Sequence, residues 1–150
     1  MQAWMILGAA GIKHPAEGTA TIAHAGLRWL AVSPDPIENV LLIHFRFEVG
    51  DPKKQLVSFE VSDEDGHLIQ PKKPFVATPG WGVPGDMIVV YEPKCVLARP
   101  GVAVFRIRAK LKPRGKVRVL AEWTVRILGP EEAKNEQKER ERRVSGGSSG

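Results

Sequence analysis

The densest chemistry in the sequence is basic. Between Arg106 and Arg118, "RIRAKLKPRGKVR" carries seven cationic side chains and no acid: Arg106, Arg108, Lys110, Lys112, Arg114, Lys116 and Arg118. The first four fall on alternate residues. Alternate side chains of a β-strand stand about 6.6–7 Å apart, close to the phosphate spacing of an extended nucleic-acid strand, so such a row suits the neutralisation of phosphates. A plain structural role fits the same residues. Like charges in a row discourage edge-to-edge pairing, and their long stems cover the outer face of a sheet. No aromatic residue is interleaved with them as a stacking platform for bases.

Three other segments invite a chemical reading. "ATPGWGVPGD" (Ala77 to Asp86) holds Trp81 in a loop of two prolines and three glycines. A rigid loop presenting one Trp is an anchor for a protein partner, or else the ring folds back and caps the domain. "SDEDG" (Ser62 to Gly66) places three acids in one turn. A calcium site at the end of a β-sandwich takes oxygen ligands from more than one loop, and Glu38, Asp51 and Asp86 are scattered, so a solvated turn without metal is expected. His14, His24, His44 and His67 are far apart and lack metal-ligand spacing. His44 reads as ordinary surface beside Arg46 and Glu48. H-E-x-x-H, a phosphate-binding glycine loop and C-x-x-C are all missing from the sequence. The expectation is a protein with no catalytic residues and no cofactor.

The elements that must position these residues follow from composition and periodicity. A chain of 150 residues, 43% hydrophobic and 26% charged, suits one domain whose core needs neither disulfide nor metal. Cys95 is the only cysteine; it is expected reduced and buried as a small apolar side chain. The opening "MQAWMILGAAGIKHP" has no basic residue ahead of an apolar run of about ten residues, which argues for a buried first strand rather than an export signal or membrane span. A cytoplasmic protein without a membrane partner is expected. Glu131 to Arg143 is electrically neutral, so the formal excess of +5 belongs to residues 1–130 and favours, mildly, an anionic partner.

Period-two alternation runs through most of the chain. Leu41, Ile43, Phe45, Phe47 and Val49 share one face of a strand, and Val57, Phe59 and Val61 share a face of the next; "GDPKK" between them suggests an antiparallel hairpin. "GTATIAHAGLRWLAVS" supplies one or two strands and "DMIVVYEP" another. Phe105, Ile107, Ala109 and Leu111 point inward from the basic hairpin, followed by an inward row of Val117, Val119, Ala121, Trp123, Val125 and Ile127. Seven or eight short strands with frequent turns predict an all-β, antiparallel, immunoglobulin-like two-sheet sandwich over residues 1–128. Residues 129–150 form a charged, then Gly/Ser-rich tail, helical or disordered.

The order of "GLRWLAV", "VLLIHFRFEV", "LVSFEVSDEDGHLI", "LARPGVAVFRIRAKL" and "AEWTVRIL" resembles a family of small uncharacterised bacterial β-sandwich proteins, a domain of unknown function. The resemblance spans Trp4 to Leu128, with "DEDG" and "RPGVAVFRI" as its sharpest pieces. It implies a fold and transfers no catalytic residues. Two functions stay open: a non-enzymatic interaction or structural module, binding an unidentified protein or itself with Trp81 as anchor, or an accessory domain binding nucleic acid or another anionic polymer through hairpin 106–118.

Overall fold

A computed structural model describes residues 1–14, 16, 19–79 and 85–147. Among them the chain forms β1 (Gln2–Gly8), β2 (Ala10–His14), β3 (Thr19–Ala23), β4 (Trp29–Ala31), β5 (Val40–Arg46), β6 (Gln55–Ser62), β7 (Leu68–Ala77), β8 (Asp86–Tyr91), β9 (Gly101–Ala109), β10 (Arg118–Leu128) and α1 (Pro130–Gly147). Three sheets result: β1-β5-β8, β4-β10-β9-β6-β7, and the hairpin β2-β3. Every pairing is antiparallel except that of β4 with β10.

The described residues hold ten strands against the seven or eight expected. One extra strand is β7, whose Pro71 and Pro74 hide it from a propensity reading. It lies at the edge of its sheet, the place where a missing backbone donor is tolerated. The other is β2, cut from the opening apolar run at Gly8. A Cβ there would sit 2.4 Å from the Ile22 side chain, so the chain needs glycine to fold β2-β3 back on itself.

The two larger sheets share one core. Met5, Leu7, Leu41, Ile43 and Phe45 from the first meet Val57, Phe59, Phe105, Ile107 and Val125 from the second. Aromatic rings join across it, with Phe59 4.7 Å from Tyr91 and 6.3 Å from Phe105 between centroids. Alternation thus predicts the buried faces well, but not the partners. The expected hairpin of β5 with β6 does not form. β5 pairs with β1 and β8, β6 pairs with β7 and β9, and residues 47–54 carry the chain between sheets. Val49 is accordingly exposed rather than inward, since β5 ends at Arg46. Val117 and Val119 are also exposed. The register shifts between Val119 and Ala121, so the inward row begins only at Ala121.

Two buried groups give stability predictions. Cys95 is 3% exposed, and burial pushes its thiol from an ordinary 9.0 up to about 11. The folded chain holds this proton more tightly than the unfolded chain. Its contribution is therefore intact below about pH 9 and lost as pH rises towards 11. Chemical unfolding between these limits is expected to show wild type losing stability relative to Cys95→Ala; a constant difference between them would refute the assignment.

The Tyr91 hydroxyl is buried with no hydrogen-bond partner among the described residues. Desolvation, and secondarily the nearby Cys95, raises its pKa. Tyr91→Phe keeps the ring against Phe59 and removes the unsatisfied group, so it is expected to stabilise the fold by about 1 kcal/mol. A lower melting temperature in the variant would contradict this.

Candidate anion-binding site

The basic hairpin is formed by β9 and β10, but its charges do not all sit in one row. β9 ends at Ala109, so only Arg106 and Arg108 lie on the strand. Lys110 and Lys112 belong to the connection, which closes in a tight turn where the Gly115 amide donates to the Lys112 carbonyl at 2.9 Å. Gly115 follows Pro113 and Arg114, so the turn residues of the sequence shorten the strand.

The structure divides the seven residues by what they touch. Arg106 donates to the Glu122 carboxylate and the Ser62 hydroxyl, each at 2.7 Å. Arg108 forms an ion pair with Glu60, whose side chain is only 5% exposed; Lys72 approaches the same carboxylate at 3.9 Å. Register explains the pattern. Glu60 lies opposite Arg106 on β9, and Arg106 lies opposite Glu122 on β10. Opposite charges thus alternate across the outer face of the five-stranded sheet, the arrangement that favours cross-strand pairs.

Lys110, Lys112, Arg114, Lys116 and Arg118 are different. All five are exposed, and none has a carboxylate within ion-pair distance among the described residues. Gln55 donates to the Lys110 carbonyl at 3.1 Å, which fixes the β5–β6 connection beside them. That connection adds Lys53 and Lys54, both exposed and unpaired in the same sense. Acids at this end include Glu48 and Asp51, and Asp86 opposite Arg46. Asp51 accepts from the Glu48 amide at 2.6 Å and from the Met1 amine at 2.9 Å. Although desolvation opposes it, these donors hold the Asp51 pKa below the ordinary carboxylate range.

A stacking surface that the hairpin itself lacks comes from β1. Trp4 is 49% exposed on the outer face of the three-stranded sheet. It borders a shallow depression of about 260 Å³ together with Arg118 and Val119. The Arg46 guanidinium carbon is 5.9 Å from the ring centroid. His44 lies against the ring at 5.5 Å and is bonded to Asp86 at 2.8 Å, so it buttresses the indole rather than standing as isolated surface. No local sequence signal joins Trp4 to Arg118; the packing of β1 beside β10, strands of different sheets, does.

The opposite end of the strands is acidic. Asp63, Asp65 and His67 place ligand atoms within 4.8 Å of one another, yet the Asp63 carboxylate already accepts from the amides of Asp65 and His67 at 2.9 and 2.8 Å. Against a desolvation effect, these amides lower its pKa. Glu64 reaches the Val102 amide at 3.2 Å. The Asp63 and Glu64 carboxylates thus organise the β6–β7 turn and its junction with β9. β6 spans eight residues, roughly 25 Å, between this turn and the basic end, so the molecule is polarised along its strands.

Trp81 lies outside the described residues. No helix among the described residues is long and apolar enough to cross a membrane. No protein-family model, no curated protein and no solved structure matches the chain.

Proposed function

We propose that the chain is a non-enzymatic binding module, an immunoglobulin-like sandwich that grips an anionic polymer, nucleic acid foremost, through the end carrying residues 53–54 and 110–118. One observation carries this reading: seven exposed cations meet there without carboxylate partners among the described residues. Fixed positive charge concentrated on one end attracts a polyanion and releases its counterions on contact.

The strand orders support the sandwich. Immunoglobulin-like domains place strands A, B and E in one sheet and G, F and C in the other, with C′ beside C in variable types. The orders β1-β5-β8 and β10-β9-β6-β7 correspond to these, with β4 as a split first strand and β2-β3 as an insertion. The β5–β6 and β9–β10 connections then become two of the loops with which variable domains bind. The resemblance to small bacterial proteins of unknown function and a cytoplasmic location with a reduced Cys95 belong to the same proposal.

A protein partner or self-association is the second reading, favoured by the exposed Trp4, Val117 and Val119. Salt separates the two. With about five phosphates engaged on a single strand, log K falls with log salt at a slope of about −3.5, or about 100-fold between about 50 and 200 mM. Binding of a labelled mixed-sequence strand measured across that range is expected to follow this slope. Absent or salt-insensitive binding sinks the polyanion reading and turns the search to a protein.

A further inference from the structure

We infer that the nucleic acid taken at this end is single-stranded, with Trp4 as the platform for one of its bases. The inference rests on the polyanion reading and deepens it. Trp4 stands beside the basic end rather than within it, with Arg118 sharing its depression on one side and Arg46 reaching over its ring. A strand whose phosphates follow Lys110 to Arg118 brings its next base to the indole.

Duplex DNA cannot use that surface, because its bases are already stacked and paired. A single strand offers a free π-face at every nucleotide, and aromatic stacking tolerates any base. His44, held by Asp86 at 2.8 Å, packs against the ring from the neighbouring strand. Half of the indole remains open to a ligand. Charge complementarity selects this occupant over a protein: Arg118 lines the depression, Arg46 stands over the ring, and Asp86 is engaged by His44.

The test compares wild type with Trp4→Ala and Trp4→Phe on four labelled probes: a short mixed-sequence DNA strand, the same strand as RNA, its annealed duplex, and inorganic polyphosphate. Wild type is expected to prefer both single strands over duplex at matched salt. Trp4→Ala is expected to weaken single-strand binding about tenfold, while Trp4→Phe retains most of it. Duplex and polyphosphate binding stay within about twofold, and the salt slope is unchanged because no phosphate contact is lost. Trp4 is exposed, so equal melting temperatures of the variants serve as the folding control. Equal loss on all four probes, or no loss on any, overturns the stacking role and leaves the polyanion reading standing. If wild type binds none of the probes at low salt, the underlying reading falls, and the inference with it.

Discussion

Reversing the charge of Lys110, Lys112, Arg114 and Lys116 together, each to Glu, is expected to weaken nucleic-acid binding at low salt by at least about 100-fold. Each phosphate contact on a single strand contributes about 0.7 to the salt slope, so losing four flattens it by about 3 as well as lowering affinity. All four side chains are exposed and make no ion pair among the described residues, so the variant should melt within about 2 °C of wild type, as surface substitutions usually do. Fluorescence anisotropy across a salt series, with melting followed in parallel, checks both halves. Unchanged affinity with an unchanged slope would remove the basic loop from the binding surface.

Arg108 is predicted to behave in the opposite way. Glu60 is 5% exposed, and Arg108 is its closest cation. Arg108→Met leaves a mostly buried carboxylate with, among the described residues, only the Lys72 amine as a cation, 3.9 Å away and itself 58% exposed. Breaking a fully buried pair costs about 3–5 kcal/mol; partial access of Arg108 to water and the residual Lys72 contact reduce this to about 2–3 kcal/mol. For a domain of this size that is a fall in melting temperature of about 10 °C. Polyanion affinity stays within about twofold at temperatures where the variant is folded. Pairing Arg108→Met with Glu60→Leu should recover most of the loss, since a well-packed apolar pair removes the stranded charge. A variant as stable as wild type but with weakened binding would return Arg108 to the ligand.

These two predictions mark where sequence and structure part. The alternation of Phe105, Ile107 and Ala109 with Arg106 and Arg108 makes the β9 faces legible from the residues alone, and Pro113 with Gly115 makes the turn legible too. The division of the basic run is not. Glu60 is 48 residues from Arg108 and Glu122 is 16 from Arg106, and only strand register brings Glu122 opposite Arg106 and Glu60 diagonally beside Arg108. For the same reason β5 and β6 read as a hairpin. A period of two states which face a residue takes but not which strand lies beside it, and β5 takes a middle place in its sheet, between β1 and β8. Trp4 escapes a sequence reading because its use depends on Arg46 and Arg118, which are contributed by two other strands. His44 escapes likewise, since Asp86 meets it across the β5–β8 pair.

The most direct test of the account is where a ligand lands. Titrating isotope-labelled protein with a short mixed-sequence DNA strand, and following backbone amides by NMR, maps binding residue by residue. The account predicts shifts concentrated in residues 46–54 and 110–119 and around Trp4, with residues 63–67 at the acidic end unmoved. Shifts centred on the acidic turn, or on the paired Arg106 and Arg108 with the loops silent, would contradict it.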